Sequence, residues 1–568
     1  MTLPNTAKPA ILLTSQTTTT TASAASASAA SASAAAVAVA SLGSNLNSSP
    51  FKSSARSYAD IAIERNPQFK KITKQDIDHF KTFLEPQSIL ATTDIGGTID
   101  EAKELDGYNT DWLGKYKGRS QVVLRPKSTQ QVSKILKYCN DQKIAVVPQG
   151  GNTGLVGGGV PVFDEVIVSL GSMNNIRDFN ETSGILVCDS GCILEELDKF
   201  AAGHGFSMPL DLGAKGSCHI GGNVSTNAGG IRFIRYGSLH GSVLGLEVVL
   251  PDGTIVDNLG TLPKDSTGYD LKQLFIGAEG TLGIVTGVSI VTPPRPNSVN
   301  VAVLGVSSYD AVQKAFRKVR RDLAEVLSAF EFWDTRCMQI VLDHNNLRSP
   351  LEEEHPFYIL IETSGSKKDH DDEKLAECLE SLLENEIIDD GALAQDETQV
   401  SKMWSMREGI PESLGKWGPT YKYDISIPIG VLYDIVPEMA NRLEQAGLYS
   451  KDPKTYESAS KDDPNVVVKG VLGYGHIGDG NLHLNVVANR FDKKVTDVLE
   501  PYVYEWVASH KGSISAEHGL GLMKAPHLHY SKSKVIVDWM VRIKNAFDPN
   551  GIMNPYKFLP RTTTSSSN

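Results

Sequence analysis

Short apolar runs punctuated by glycine organise this chain from about residue 120 onward. Residues 122–124 are continuously apolar and read as a strand. Residues 129–140 set Val132, Ile135 and Leu136 at helical spacing, and 144–147 read as a second strand. The apolar runs 166–170, 185–187, 246–250 and 282–290 predict further strands, alternating with glycine clusters. The run Thr292-Pro293-Pro294-Arg295-Pro296 then breaks the pattern as a domain border does. Beyond it, 299–306 and 357–362 predict strands, whereas 309–330 and 372–386 predict helices with charged outer faces. These form a second α+β module of roughly 200 residues. No internal repeat is visible.

Residues 1–56 are almost entirely Ser, Ala and Thr; Lys8, Lys52 and Arg56 are their only charges, and the first acid is Asp60. Such a segment buries too little apolar surface to offset its ordering entropy, which predicts a disordered leader. The lack of acids and the Arg56-Ser57-Tyr58 junction fit a mitochondrial presequence and a matrix location. The competing reading is an uncleaved low-complexity tail on a cytoplasmic protein.

Composition narrows the classes. With 568 residues, 40% apolar and 21% charged, the chain has room for a large core and more than one domain. Its 55 basic and 67 acidic residues leave a net charge of −12, which argues against nucleic acid or an anionic membrane as main partner. A local basic pocket for an acidic small molecule remains compatible with that sum. Six scattered cysteines, none in a Cys-x-x-Cys pair, suit a reducing compartment better than a disulfide scaffold. No apolar run approaches the roughly 20 residues of a membrane helix.

Glycine concentrates in three segments: 148–159, 211–230 and 277–283. Without a Cβ, successive backbone N–H groups can crowd around an anion. The first loop leads from a strand into another strand, so it is not the βαβ dinucleotide turn, which needs a helix N-terminus. No P-loop occurs, and the formal Gly-x-Gly-x-x-Gly at Gly473, Gly475 and Gly478 runs into Asp-Gly-Asn and a strand, a coincidental match. Tight turns in a crowded sheet would explain one cluster. Three, with Asn, Ser and Thr interleaved, favour a phosphate-bearing cofactor.

A second constellation surrounds Asp479-Gly480, a two-residue type I′ hairpin signal. With those residues as the turn, Gly478 faces Asn481, Ile477 faces Leu482 and His476 faces His483. Residues opposite across a hairpin share a face with Cβ atoms about 5 Å apart. Two imidazoles would then converge on one point, as a metal requires. A stacked surface pair, or a loop of different register, is the competing reading.

Segments 148–159, 211–230 and 279–286 resemble the FAD-binding domain of the vanillyl-alcohol oxidase and p-cresol methylhydroxylase type. Downstream, Gly475-His476-Ile477-Gly478-Asp479-Gly480-Asn481-Leu482-His483, Ser515-Ala516-Glu517-His518-Gly519 and Asn554-Pro555-Tyr556-Lys557 extend the likeness to the flavin-dependent D-2-hydroxyacid dehydrogenases, above all the D-2-hydroxyglutarate dehydrogenases with their fungal transhydrogenase and D-lactate relatives. The resemblance covers about residues 100–560 and implies an α+β fold. In that layout 57–117 is an N-terminal helical segment, 118–296 a two-part FAD-binding domain and 297–500 a substrate or cap domain. Residues 501–560 form a helical C-terminal return that completes the active site, and 561–568 a tail.

The resemblance implies an FAD held by Pro148, Gly150, Gly151, Asn152, Thr153, Gly154, Leu155, Gly213, Ser217, Gly221, Gly222, Asn223, Thr226, Asn227, Gly229, Gly230, Glu279, Gly280, Ile284 and Asn554. Flavin-tethering relatives carry a His where this chain has Asn152, so the FAD is expected to be non-covalent. His476, His483 and Glu517 are the implied ligands of a divalent metal, zinc first, with Mn and Fe also suited to that donor set. His518 is the implied general base and a substrate contact. The adjacency of Glu517 and His518 demands a bend, which Gly519 and Gly521 permit. Arg407, Lys422 and Asn485 are the implied contacts of the substrate's carboxylates; a lone Arg on a helix and a Lys on an alternating strand are otherwise ordinary decoration. Pro411 stands where the family usually has Thr, leaving the choice between 2-hydroxyglutarate and lactate open.

The expected reaction is oxidation of D-2-hydroxyglutarate to 2-oxoglutarate, with pyruvate, cytochrome c or an electron-transfer flavoprotein as acceptor. D-lactate oxidation with cytochrome c is the alternative. A metal-dependent hydrolase lacks any His-Glu-x-x-His or Gly-x-Ser-x-Gly motif, and a non-catalytic nucleotide-binding module would leave the histidines unused. A homo-oligomer is a further expectation.

Overall fold

The computed structural model describes residues 63–452 and 467–560. The Ser/Ala/Thr leader, its junction and the tail lie outside the described residues. Three sheets organise the rest into an α+β architecture. The first contains β1 (Ile89–Ala91), β2 (Val122–Leu124), β3 (Val146–Gln149) and β4 (Val166–Ser169) in the order β1-β2-β4-β3. Strand β4 runs parallel to both β2 and β3. Burial on both faces explains why β2 is wholly apolar and β4 apolar up to Ser169. Between β2 and β3 the helix Thr129–Gln142 starts where the Ser128 side chain accepts the Gln131 N–H, and it buries Val132, Ile135, Leu136 and Cys139. The described stretch 63–117, expected to be helical, holds one two-turn helix, Lys74–Phe80, a four-residue turn of helix, Asp106–Asn109, several 3-10 turns and β1. Pairing of β1 with β2 makes part of this stretch a sheet edge instead.

The second sheet, β5 (Ile176–Asn180), β6 (Ile185–Asp189), β7 (Val243–Val249), β8 (Ile255–Asn258) and β9 (Ile284–Val291), is antiparallel in the order β5-β6-β9-β7-β8. The proline-rich run follows β9 and leads into the third sheet. That sheet comprises β10 (Ser298–Val306), β11 (Leu327–Asp334), β12 (Phe357–Gly365), β13 (Asp390–Leu393), β14 (Thr420–Ser426), β15 (Val468–His476) and β16 (Asn481–Ala488). Its order is β13-β10-β12-β11-β15-β16-β14. One expectation fails here: the helix expected over 309–330 ends at Asp322, and β11 follows. Every residue of β11 is buried, so the strand carries no polar alternation to set it apart from a buried helix.

One face of this sheet packs Phe330, Phe332, Ile359, Ile361, Ile425 and Leu484 into a large core with the helices Tyr309–Asp322, Lys368–Glu384 and Ile435–Gln445. On the other face, Trp333, Leu472 and Tyr474 meet the helices Thr335–Asn345, Glu397–Glu408 and Ile410–Trp417. Side chains buried this fully contribute about 1.5–3 kcal/mol each, which makes the sheet a stiff platform. The C-terminal segment returns to the first sheet, where Val146 N–H donates to Ile552 O (2.8 Å) and Asn554 N–H to Val146 O (2.8 Å). No helix among the described residues is long and apolar enough to cross a membrane.

Candidate active site

Strand register alone gathers most of the polar residues of interest. Side chains opposite one another in a ladder share a face, and the face recurs every second residue. Glu331 lies opposite His476, His476 opposite Asn481 and Asn481 opposite Ser426. The next row runs Trp333, Tyr474, His483, Asp424, and the one after it Leu472, Asn485, Lys422. Four strands, β11, β15, β16 and β14, thus put Glu331, both hairpin histidines, Asp424, Asn485 and Lys422 on one side of the sheet.

The hairpin itself departs from expectation. His476 pairs with Asn481, not His483, because residues 477–480 form the connection: a 3-10 turn at Ile477–Asp479, then Gly480 at φ +74°. The Asp479 side chain accepts the Asn481 N–H (3.1 Å), an Asx turn that outcompetes the two-residue type I′ loop. The register moves by two positions, and an even shift leaves every side chain on its original face. His476 and His483 therefore still converge, with ring centroids 5.5 Å apart.

Glu517 and His518 arrive on an irregular loop where Gly519 (φ +78°) and Gly521 (φ +47°) turn the chain. His476 Nε2 lies 3.6 Å from Glu517 Oε1. One donor atom each from His476, His483 and Glu517 falls within a 4.8 Å cluster; Asp424, His483 and His518 form an overlapping one. Two imidazoles and a carboxylate at such spacing are a donor set that fits a divalent cation. His518 keeps 30% of its side chain exposed, against 10% for His476 and 13% for His483, so it is the imidazole a small molecule can reach.

Two buried carboxylates orient these rings. Glu331 contacts His476 Nδ1 at 2.7 Å and the Arg407 guanidinium at 2.7 Å. Asp424 lies 3.9 Å from His483 Nδ1 and 3.5 Å from His518 Nδ1. Burial would lower the His476 pKa, but the Glu331 and Glu517 carboxylates outweigh it and lift the value to about 9. Burial pushes His483 well below its ordinary range. Burial also opposes the Asp424 charge, yet His518, Lys524 and His483 hold its carboxyl below the usual range.

Arg407 ends the helix Glu397–Glu408, buried, with its guanidinium 4.7 Å from the Tyr474 ring centroid. Lys422 is half-buried, its pKa lowered by burial, and has no carboxylate partner among the described residues. Asn485 donates to His483 O (2.9 Å) and leaves its buried Oδ1 without a partner. The helix bearing Arg407 ends at Glu408, just before Pro411, which sits in the first turn of the next helix, Ile410–Trp417, where its missing N–H costs nothing.

The glycine segments enclose a cavity lined by Pro148, Gly150, Gly151, Asn152, Thr153, Gly154, Gly221, Gly222, Asn223, Thr226, Glu279, Gly280 and Ile284, with His518 on the same wall. A Cβ on Gly151 would lie 2.0 Å from Ser217 O, so only glycine lets these loops touch. The cavity leaves Ser190 Oγ and His219 Nδ1 buried without hydrogen-bond partners, as a polar cofactor would require. Asn152, at φ +53°, donates to Thr110 O (2.8 Å) and offers no imidazole for a tether. Leu155, Gly213, Ser217 and Asn227 are absent from the lining. Gly229 and Gly230 face the histidine cluster: Gly230 N–H donates to Glu517 Oε1 (2.9 Å), and a Cβ on Gly229 would meet that oxygen at 3.1 Å. Asn554 ties loops together through Gly158 O (3.0 Å) and Glu279 O (2.8 Å).

Sequence reasoning missed Glu331, Asp424, Ser190 and His219. Asp424 had a signal, since it stands two residues from Lys422 in an alternating strand. Glu331 had a weaker one, an acid flanked by Phe330 and Phe332 just past the end of the expected helix.

The chain is similar to known FAD-linked oxidases along most of its length. A model described as the FAD binding domain matches residues 120–258, and one described as the C-terminal domain of FAD linked oxidases matches residues 295–558. A Schizosaccharomyces pombe protein provisionally named a mitochondrial D-lactate dehydrogenase is 54% identical, covering 88% of this chain and 92% of its own. A mitochondrial D-2-hydroxyglutarate dehydrogenase of Arabidopsis thaliana is 52% identical over 90% of this chain and 86% of its own. A D-2-hydroxyglutarate–pyruvate transhydrogenase of Saccharomyces cerevisiae is 48% identical over 88% and 97%. Among solved structures, substrate-bound p-cresol methylhydroxylase shares the fold at TM-score 0.63 and 15% identity, covering 85% of this chain and 95% of that one.

Proposed function

This chain belongs to the FAD-linked oxidase family as an FAD-dependent D-2-hydroxyacid dehydrogenase, and on that premise we propose that it oxidises D-2-hydroxyglutarate to 2-oxoglutarate. The glycine segments hold FAD non-covalently, with Ser190 and His219 as polar contacts that sequence reasoning had omitted. Bound FAD supplies the two-electron oxidant. His476, His483 and Glu517 hold a divalent cation, zinc first, whose charge makes a nearby hydroxyl more acidic.

The chain's own residues then have separable tasks. His518 takes the hydroxyl proton; with Nδ1 toward Asp424, its Nε2 is the free nitrogen. Arg407 offers a planar fork and Lys422 a point charge to carboxylates. Asn485, with its unmet Oδ1, adds a polar contact on the same face. Glu331 keeps Arg407 and His476 in fixed relation.

The observation that carries the diacid reading is Lys422, a half-buried cation with no carboxylate among the described residues. Burying an unmatched charge is costly, and the second carboxylate of a five-carbon diacid answers it where lactate has none. Replacing Lys422 with Ala is expected to lower kcat/KM for D-2-hydroxyglutarate by roughly 10–100-fold while changing D-lactate turnover far less. Equal losses on both acids, or a wild-type preference for lactate, would overturn the assignment. D-lactate oxidation is the second reading, favoured by the name of the S. pombe relative and by Pro411. Pyruvate is the proposed acceptor, reduced in the same 2-oxo-acid site, with cytochrome c and an electron-transfer flavoprotein as alternatives. A mitochondrial location is proposed from the relatives so named and from the composition of residues 1–56.

A further inference from the structure

The segment that brings Glu517 and His518 to the site has no ladder to hold it. Residues 514–520 are neither helix nor strand, so their backbone N–H groups must find other acceptors. Two buried carboxylates take four of the N–H groups on this turn. Asp424 Oδ2 accepts from Glu517 (3.0 Å) and His518 (3.0 Å). Glu279 Oε1 accepts from Leu520 (2.6 Å), and Glu279 Oε2 accepts from Gly521 (2.8 Å).

These acceptors come from opposite sides. Asp424 belongs to β14, whereas Glu279 belongs to the third glycine segment and is itself held tightly at φ +51°. Its N–H donates to Ser225 O in the second glycine segment (2.8 Å), and its carbonyl accepts from Asn554 Nδ2 (2.8 Å). The approach is close enough that a Cβ on Gly519 would fall 2.6 Å from Glu279 Oε1. A carboxylate so placed is a poor phosphate ligand, since like charges repel, but a good double acceptor.

We propose that Glu279 is a positioning residue for the oxidation: its carboxylate ties the loop bearing His518 to the glycine segments around the flavin, fixing the spacing of base and oxidant. This rests on His518 being the base. Glu279 acts through His518 and touches neither substrate nor the reacting atoms. An isosteric Gln keeps one acceptor oxygen but sets an NH2 group against a backbone N–H, which displaces the loop without emptying the site.

The test is a double-mutant cycle in the full FAD-loaded chain, with Glu279→Gln, His518→Ala and the double variant. Flavin reduction is followed anaerobically, and flavin and metal per chain are measured. Glu279→Gln is expected to keep both at wild-type stoichiometry and KM within about threefold, while flavin reduction slows roughly 100-fold, as for a catalytic group displaced by an ångström. In the His518→Ala background the same change is expected to have no further effect. Loss of flavin from Glu279→Gln would overturn the proposal, as would an undiminished slowing in the double variant. Should Glu279→Gln not fold, Glu279→Asp enters the same cycle under the same criterion. Wild-type reduction by His518→Ala alone would instead refute the base assignment, so the two failures are distinguishable.

Discussion

All three imidazoles of the cluster turn Nδ1 toward a buried carboxylate, His476 toward Glu331 and the other two toward Asp424. The hydrogen bond to Glu331 orients His476 and leaves its Nε2 for a ligand, whereas Asp424, at 3.9 and 3.5 Å, acts on His483 and His518 through its charge. The roles then divide by access, because His518 is the most exposed of the three. Replacing His518 with Ala is expected to slow flavin reduction by about 100- to 10,000-fold with metal and flavin content unchanged. Replacing His476 with Ala is expected to remove the metal as well, and metal analysis alongside stopped-flow spectroscopy checks both. The pairing of His476 with His483 was suggested by residue types and spacing, whereas Glu517 and His518 were singled out only through the motifs that carry the family resemblance. The orienting acids were passed over, because a carboxylate that serves by ladder register belongs to no local motif and Asp424 had only its spacing from Lys422 to mark it.

Elements fold here by satisfying neighbours, and that is where local reading fails. Strand β11 lies between two other strands with every residue buried, so its composition carries no period. The hairpin turn was mispredicted in length because Asp479 bonds its own chain, while the even register shift preserved the predicted face. The 3-10 turn Ala525–Tyr530, just after the catalytic loop, gives an element-scale prediction. His527 there stacks on Tyr504 of the helix Tyr502–Ser509 at 4.4 Å, and burial lowers its pKa from 6.5 to about 4. Between those values the unfolded chain binds the proton more readily, so stability rises with pH through that window and falls on acidification. Thermal melts from pH 7 to 4 are expected to show a decline that is shallower in His527→Gln; an unchanged slope would contradict the account.

At the scale of the molecule, one polar sheet face and one set of glycine loops meet around His518, which lines the glycine cavity and stands beside the histidine cluster. The passage from the second sheet to the third was visible in the sequence because the proline-rich run 292–296 interrupts the apolar periods there. How the modules face each other was not, since contacts such as Glu279 to Gly521 span 242 positions. The account requires one 2-hydroxy acid to engage the cation site while its C–H bond faces the oxidant. The most direct measurement mixes D-2-hydroxyglutarate anaerobically with flavin-loaded protein before and after chelation. Bleaching of the flavin is expected to stop in the metal-free protein and to return on adding one equivalent of divalent ion; bleaching at an undiminished rate without metal would contradict the account.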